Sequence, residues 1–156
     1  MEKIKWGIIG PGNIANNFAD GLKGSYSGQL VSIASKSEDR RKNFGDKYDI
    51  HPDFRFDSYE DIINSEHIDA IYISTPHTLH AEWTIKAAGK GKHILCEKPG
   101  AINFNQGKKI IDAVREAGVF YMEGFMYRCH PQIPKLVDII KNKMIGDVIS
   151  IETSFG

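Results

Sequence analysis

The chain opens with a short apolar run that is followed by a helical pattern. Residues 4–9 are mostly apolar, which is typical of a strand covered on both faces in a parallel sheet. Ile14, Phe18 and Leu22 then recur every fourth residue and so share one face of a helix over about 12–24. The pattern therefore predicts a strand, a tight turn and a helix in direct succession.

The same alternation continues through most of the chain. Further strands are predicted at 30–34, 54–56, 69–74, 93–96 and 119–122. Helices are predicted between them, at 37–48 with Ser37 as N-cap, from a capping box at 57–60, at 78–88 and at 103–117. Strands that alternate with helices in this way predict an α/β fold of the Rossmann type, a doubly wound parallel sheet with helices on both faces.

A glycine motif lies between the first strand and the first helix. Gly10, Gly12 and Ala15 have the spacing G-x-G-x-x-A, with Asn13 and Ile14 at the start of the helix. Gly10 permits a sharp turn, Gly12 lets a pyrophosphate approach the backbone, and Ala15 allows close packing. The first helical N–H groups would then point at the phosphates. The motif predicts a dinucleotide site, and its alternative is a simple turn before a helix.

Composition and charge narrow the class of protein and its partners. The 156 residues, 41% of them apolar, suffice for about one domain with a core. The 20 basic and 20 acidic residues cancel, so we expect neither a nucleic-acid nor a membrane partner. The first apolar run is too short for a signal peptide, which predicts a cytoplasmic protein. Cys96 and Cys129 lack C-x-x-C spacing and are interpreted as buried free thiols.

The residues after the second strand indicate which cofactor binds. Ligands of such sheets bind at the carboxyl ends of the strands, where an acid would hold the ribose 2′-hydroxyl of NAD. Here Ser35 and Lys36 stand at that place, with Arg40 nearby. A hydroxyl and cations suit a 2′-phosphate, so NADP is predicted, with NAD as the alternative cofactor. A solvated helix start is the alternative reading of Lys36 and Arg40.

The ends of the fourth and fifth strands carry further candidates. Ser74, Thr75 and Pro76 are predicted to form the wall beside the phosphates and the nicotinamide, and His77 and His80 to start or cap the next helix. The two histidines lack a third ligand at a suitable spacing, so no metal is predicted. The fifth strand is followed by residues 97–99, which are an acid, a base and a proline. These residues place charged side chains in the cleft where the nicotinamide would lie.

Four motifs in order resemble one known family. They are GPGNIA at 10–15, STPH at 74–77, EKP at 97–99 and EGFMYRCHP at 123–131. The set resembles the glucose-fructose oxidoreductase and inositol dehydrogenase family. Its last motif is similar to the branch with dimeric dihydrodiol dehydrogenases and NADP-dependent xylose dehydrogenases. The resemblance implies an NADP-dependent oxidoreductase that acts on a sugar, polyol or cyclic diol by hydride transfer.

The resemblance also implies roles for individual residues. Lys98 would lie near the nicotinamide ribose and the reacting carbon and assist proton and hydride transfer, while Glu97 would orient it. The Lys98–Pro99 peptide would be cis. Arg128 and His130 would line the substrate cleft. By composition alone, Lys98 reads equally well as a plain surface lysine.

The end of the chain follows a different pattern. A connecting helix is predicted around 131–140, and the alternation over 148–155 predicts a strand with Ile149, Ile151, Thr153 and Phe155 on one face. We therefore predict a dinucleotide-binding domain at 1–123, a connecting segment at 124–146 and the first strand of a second α/β domain at 147–156. An unpaired strand of this kind invites association, so a homo-oligomer is expected.

Members of the family are longer than this chain, and their second domain supplies a tyrosine or histidine acid/base. The chain is therefore interpreted as the cofactor-binding half of such an enzyme, present as a fragment, a truncated reading frame or a stand-alone module. The alternative function is a non-catalytic dinucleotide-binding or interaction module.

Overall fold

The computed structural model describes residues 2–154, which form two units, one through Gly124 and one from Phe125. The first unit holds one parallel sheet with the strands β1 Ile4–Ile9, β2 Gly28–Ala34, β3 Arg55–Phe56, β4 Ala70–Ile73, β5 His93–Cys96 and β6 Tyr121–Glu123. Its helices are α1 Asn13–Lys23, α2 Glu38–Lys47, α3 Tyr59–Asn64, α4 His80–Ala88 and α5 Phe104–Ala117. The second unit contains α6 Gln132–Lys141.

The sheet has the strand order β3-β2-β1-β4-β5-β6, and all its pairs are parallel. The direction of winding reverses between β1 and β4, which is the topological switch point at which such sheets bind ligands. The predicted Rossmann-type α/β fold is confirmed.

Alternating side chains build a core on each face of the sheet. On one face Ile8, Ile33 and Tyr72 pack with residues of α1 and α2. On the other face Ile71 and Ile73 pack with residues of α3, α4 and α5. The sheet is therefore covered on both faces, as its continuous apolar strands predict.

Several boundaries differ from the sequence prediction. The N-cap of α3 is Ser58, whose Oγ accepts the Asp61 N–H at 3.3 Å, so the capping residue lies one position after Asp57. The helix predicted from Thr78 begins as a short 3₁₀ turn at His77–Leu79 and becomes α4 at His80. Both histidines do start helical structure, as predicted, but neither caps α4 with its side chain.

The last strand of the sheet begins later than predicted. Gly118 ends α5 in the left-handed conformation, and the Val119 N–H still donates to the Val114 carbonyl at 3.2 Å. Because Val119 completes the cap of the helix, pairing in β6 starts only at Tyr121.

Two predictions for the C-terminal part are wrong. Residues 148–154 do not form a strand, because an alternating pattern needs a hydrogen-bonded neighbour and these described residues have none; Phe155 lies outside the described residues. Cys129 was predicted to be buried but is exposed, whereas Cys96 is fully buried. The three-part division at 123 and 146 stays a prediction.

Candidate cofactor site at the carboxyl ends of the strands

The turn between β1 and α1 is joined to the end of β4. Gly10 has a φ of +91°, and a Cβ added to it would lie 3.0 Å from the Ser74 carbonyl oxygen. The Ser74 hydroxyl also donates to the Gly10 carbonyl at 2.7 Å. Only glycine combines this backbone angle with this close approach, so the turn and the neighbouring strand end form one rigid wall.

The N-terminus of α1 is open toward this wall. Gly12 is the N-cap, no side chain caps the helix, and its first turn contains no acid. The position that a Cβ of Gly12 would fill has no atom within 4 Å. Ala15 is fully buried against the sheet, Ile14 is half-buried and Asn13 is exposed. These residues fit the pyrophosphate of a dinucleotide, because the free N–H groups and the helix dipole attract an anion.

The end of β2 presents two cations beside an aromatic ring. The Lys36 ammonium lies 5.8 Å from the centroid of the Tyr59 ring. Burial raises the pKa of Tyr59, and the positive charge of Arg40 opposes that rise. Ser35 is buried, and its Oγ accepts the Ser37 N–H at 3.2 Å. The three residues predicted to select the cofactor thus belong to one small region.

Acidic as well as basic residues lie at this end of the sheet, so the local electrostatic field has contributions of both signs. Glu38 and Asp39 stand in the first turn of α2. The Arg41 guanidinium donates to the Ser35 carbonyl at 2.7 Å and is therefore engaged with the backbone. Lys36 and Arg40 are therefore the exposed cations near Ser35, and the two acids oppose them.

The residues after Ser74 continue this wall of the site. Thr75 is buried, while Pro76 and His77 are exposed at the start of the 3₁₀ turn. The rings of His77 and His80 are 5.5 Å apart, but both nitrogens of His80 contact backbone carbonyls. Among residues 2–154, no cluster of three potential metal ligands is present.

Glu97 and Lys98 leave the sheet at the end of β5. The Tyr72 hydroxyl of β4 donates to Glu97 Oε1 at 2.6 Å, and the Lys98 N–H donates to Glu97 Oε2 at 3.3 Å. The Lys98 side chain is exposed, and its peptide bond to Pro99 is cis, as predicted. The Glu97 carboxylate therefore accepts one hydrogen bond from Tyr72 inside the sheet and one from the backbone of Lys98.

Burial raises the pKa of Tyr72 far above its ordinary value, and the hydrogen bond to Glu97 adds to the rise. Tyr72 therefore keeps its proton and acts as a donor to the carboxylate. Its ring also stacks on Phe18 of α1, with the centroids 4.1 Å apart. The helix behind the glycine turn and the segment that carries Lys98 are thus connected through a single side chain.

Sequence reasoning missed two residues that shape this end of the sheet. Tyr72 was interpreted only as part of a strand, although a hydroxyl within the apolar run of β4 was a signal for a buried partner. Glu123 was noted only within a motif, yet its Oε1 accepts the Gly100 N–H at 2.7 Å. The sequence signal that could have identified Glu123 was an acidic residue at the end of a strand, next to the site.

Arg128 and His130 belong to the second unit. Arg128 lies in a 3₁₀ turn at Met126–Cys129, and His130 follows that turn. The His130 Nδ1 accepts the Gln132 N–H at 3.2 Å at the start of α6, and both side chains are exposed. Their predicted role in a substrate cleft stays a prediction. No helix within residues 2–154 has the length and hydropathy needed to span a membrane.

Comparison with known proteins agrees with this geometry. Residues 4–125 match the model of an oxidoreductase family described by its NAD-binding Rossmann fold. A trans-1,2-dihydrobenzene-1,2-diol dehydrogenase from Xenopus laevis is 34% identical over 97% of the chain and 46% of its own length. A D-xylose 1-dehydrogenase (NADP(+)) from Haloferax volcanii is 32% identical, with coverages of 97% and 46%.

A solved structure is similar in shape as well as in sequence. A 3-ketoreductase from Actinomadura kijaniata, in complex with TDP-benzene and NADP, has a TM-score of 0.84 and 32% identity over 94% of this chain and 45% of its own. The chain thus spans about half the length of the relatives that it matches. The match of the family model over most of the chain confirms the resemblance found in the motifs. The chain belongs to the glucose-fructose oxidoreductase and inositol dehydrogenase family of oxidoreductases, whose members have an NAD-binding Rossmann fold.

Proposed function

We propose that the chain is the cofactor-binding part of an NADP-dependent dehydrogenase that acts on a sugar, a polyol or a cyclic diol. One observation carries the proposal: the glycine turn after β1, the wall after β4 and the Glu97–Lys98 segment after β5 meet at the carboxyl ends of adjacent strands. The names of the relatives support the substrate class, since they include a diol dehydrogenase and a xylose dehydrogenase.

In the proposed chemistry, the nicotinamide of the bound cofactor supplies the hydride acceptor or donor. The open N-terminus of α1 holds the pyrophosphate, and Ser74, Thr75 and Pro76 limit the space beside it. Lys98 assists the proton and hydride transfer at the substrate carbon, and Glu97 orients the Lys98 backbone. Arg128 and His130 are proposed to contact the substrate.

Preference for NADP over NAD is proposed from the cations after β2. Lys36 and Arg40 are exposed near Tyr59, and Ser35 occupies the place where NAD-binding sites hold an acid. A hydrogen bond to a charged group contributes roughly 1.5–3 kcal/mol, which corresponds to about tenfold discrimination or more.

Fluorescence titration with NADPH and NADH tests this preference. We expect wild type to bind NADPH about tenfold more tightly or better, and Lys36→Ala to lose most of that difference with little change in NADH affinity. Lys109→Ala is the matched control, because Lys109 is exposed on α5 and lies outside the proposed site. Equal affinities of wild type for both cofactors, or an unchanged preference in Lys36→Ala, would contradict the assignment.

We also propose that the protein is cytoplasmic and forms a homo-oligomer with a second copy of the chain. Free thiols at Cys96 and Cys129 agree with a reducing compartment. Apolar side chains on and after α6 are exposed, among them Leu136, Met144, Ile145 and Ile149, and such residues are often covered by another subunit.

A further inference from the structure

Tyr72 lies in β4, and its side chain is almost fully buried on the face of the sheet that α1 covers. Tyr72 pairs with Leu95 of β5, and Glu97 follows two residues later, so the side chains of Tyr72 and Glu97 point to the same face. The Tyr72 hydroxyl donates to Glu97 Oε1 at 2.6 Å. A core residue of β4 is thus bonded to the acid that precedes Lys98.

The backbone of Glu97 is attached to the same strand. Its N–H donates to the Ile73 carbonyl at 2.9 Å, which continues the pairing of β5 with β4 by one residue. The Glu97 side chain is half-buried. The main chain and the carboxylate of Glu97 are therefore both held by β4, at the neighbouring residues Ile73 and Tyr72.

Gly124 lies on the other side of the same carboxylate. Its N–H donates to the Cys96 carbonyl at 2.7 Å. A Cβ added to Gly124 would lie 3.1 Å from Glu97 Oε1, which is closer than an ordinary van der Waals contact. The carboxylate therefore occupies a narrow space between the Tyr72 hydroxyl and the Gly124 backbone.

The second oxygen of this carboxylate faces Lys98. Glu97 Oε2 accepts the Lys98 N–H at 3.3 Å, while Oε1 accepts the Tyr72 hydroxyl. Without that hydroxyl, the half-buried carboxylate would lose a hydrogen bond, and turning toward water would then be favourable for it. The Lys98 N–H would lose its acceptor as a result.

A buried tyrosine needs a partner for its hydroxyl wherever it lies, so the identity of the partner decides what the hydrogen bond does. Tyr48 belongs to the same core as Tyr72. Its hydroxyl lies 3.0 Å from Asn16 Oδ1 and 3.2 Å from Asp20 Oδ1, and both partners belong to α1. The Tyr72 hydroxyl, by contrast, bonds to an acid within the segment that carries the proposed chemistry, which favours a role beyond core packing.

We propose that Tyr72 is a positioning residue for the dehydrogenase reaction: its hydroxyl fixes the Glu97 carboxylate, and the carboxylate in turn places the backbone of Lys98. Tyr72 acts through Glu97 and does not touch the reacting atoms. The effect on turnover rests on the proposed function, in which Lys98 assists proton and hydride transfer. The hydrogen bond between Tyr72 and Glu97 is tested independently of that function.

NMR of the whole chain labelled with ¹³C at tyrosine Cζ tests the hydrogen bond, because the shift of that carbon responds to the bonding of the hydroxyl. Tyr72→Phe and Tyr48→Phe identify the two signals by their loss. Glu97→Ala should move the Tyr72 signal and leave the Tyr48 signal in place. Glu116→Ala, which removes an exposed acid on α5, should move neither. An unmoved Tyr72 signal in Glu97→Ala would overturn the proposal.

Kinetics test the positioning role, in a form extended to the full length of the relatives and with NADP and the aldose or diol that wild type converts fastest. Tyr72→Phe keeps the ring that stacks on Phe18 and removes only the hydroxyl. It should lower kcat roughly tenfold with an unchanged KM for NADP. Tyr48→Phe, which removes the hydroxyl of another buried tyrosine, is the matched control and should keep kcat.

A double-mutant cycle shows whether Tyr72 acts through Glu97. The variant with both Tyr72→Phe and Glu97→Ala should have the kcat of Glu97→Ala alone. If Tyr72→Phe lowers kcat as much in the Glu97→Ala background as in wild type, Tyr72 acts by another route and the proposal is overturned. If Lys98→Met abolishes turnover while Tyr72→Phe leaves kcat unaltered, the positioning role fails although the proposed function stands. If the ¹³C signals show the bond but the chain does not bind NADPH, the proposed function fails, and the positioning role fails with it.

Discussion

Lys98 is the residue on which the proposed chemistry depends. Its side chain is exposed, and its N–H donates to Glu97. The Pro99–Gly100 peptide that follows contacts His80 through its carbonyl and Glu123 through its N–H. The protein therefore fixes the backbone of Lys98 and leaves the ammonium group free to meet a substrate. This arrangement suits a group that acts mainly in the transition state.

We predict that Lys98→Met strongly lowers turnover with little change in cofactor affinity. The test uses a form of the protein extended to the length of its relatives, with NADP and a panel of aldoses and diols. Positioned proton transfer typically contributes about 10²–10⁴-fold, so a loss of kcat in that range is expected while the NADPH dissociation constant stays within about twofold.

Lys90→Met is the matched control for this substitution. Lys90 is an exposed lysine just before β5, at the opposite end of that strand from Lys98. Its replacement should leave turnover unchanged. Normal turnover in Lys98→Met would remove Lys98 from the catalytic role.

At the residue scale, the sequence identified groups whose chemistry is local. Gly10 was predicted from motif spacing alone, and the structure places it in the turn that only glycine can form. The contributions of Tyr72 and Glu123 were not predicted, because each depends on a partner more than twenty residues away in sequence. Spacing within one motif carries no information about such pairs.

At the element scale, three neighbouring strands each carry a weak acid that is fully or partly buried. They are Tyr72 on β4, Cys96 on β5 and Tyr121 on β6, and burial raises the pKa of each. For Cys96 the value rises from 9.0 to about 12. This half of the sheet therefore contains groups that stay protonated in the folded state at a pH where the unfolded chain loses their protons.

The direction of the pH effect follows from proton linkage. Above pH 9 the unfolded chain binds fewer protons at Cys96 than the folded protein does, so the free energy of unfolding falls as pH rises toward 12. The slope from one such group approaches about 1.4 kcal/mol per pH unit. Tyr72 and Tyr121 add the same effect above their ordinary value of 10.0.

We predict that Cys96→Ala makes stability less sensitive to alkaline pH. Urea unfolding at pH 8, 9 and 10 should give a smaller fall in the free energy of unfolding than in wild type, whatever the stability at pH 8. Cys129→Ala is the control, because that thiol is exposed. A slope in Cys96→Ala equal to that of wild type would show that the buried thiol does not carry the effect.

Periodicity predicted the elements themselves better than their ends. The six strands and the alternation with helices were all predicted, because each element buries one repeating set of apolar positions. The start of β6 was misplaced because the cap of α5 uses Val119. The strand predicted at 148–155 is not formed over the described residues 148–154 for a different reason, since a pattern of side chains cannot supply the neighbouring strand that its backbone needs.

At the scale of the whole molecule, the two units differ in how they bury apolar surface. Both cores consist of residues between Trp6 and Tyr121, so the first unit contains the complete sheet and its helices. Among the described residues from 125 to 154, by contrast, no side chain is buried. The first unit therefore meets the main requirement for independent folding, and the second does not.

We predict that residues 1–124 fold and bind cofactor without the rest of the chain. Their thermal midpoint should lie within a few degrees of that of the 156-residue chain, and their NADPH affinity within about twofold, because the core and the proposed cofactor contacts are retained. Circular dichroism and fluorescence titration measure the two quantities. Loss of the cooperative transition in 1–124 would mean that the second unit is needed for the fold.

The same pair of polypeptides tests the proposed self-association. The 156-residue chain exposes Leu136 and Ile140 on α6 and further apolar residues after it, whereas 1–124 lacks them. Sedimentation velocity should therefore show concentration-dependent association of the longer chain and a monomer for 1–124. Leu136→Gln with Ile140→Gln in the longer chain should weaken association without changing NADPH affinity, and Lys135→Gln, an exposed polar position on the same helix, should not. Association that persists in 1–124 would move the interface to the first unit, where β6 forms an edge of the sheet and Phe104 and Phe120 are exposed beside it.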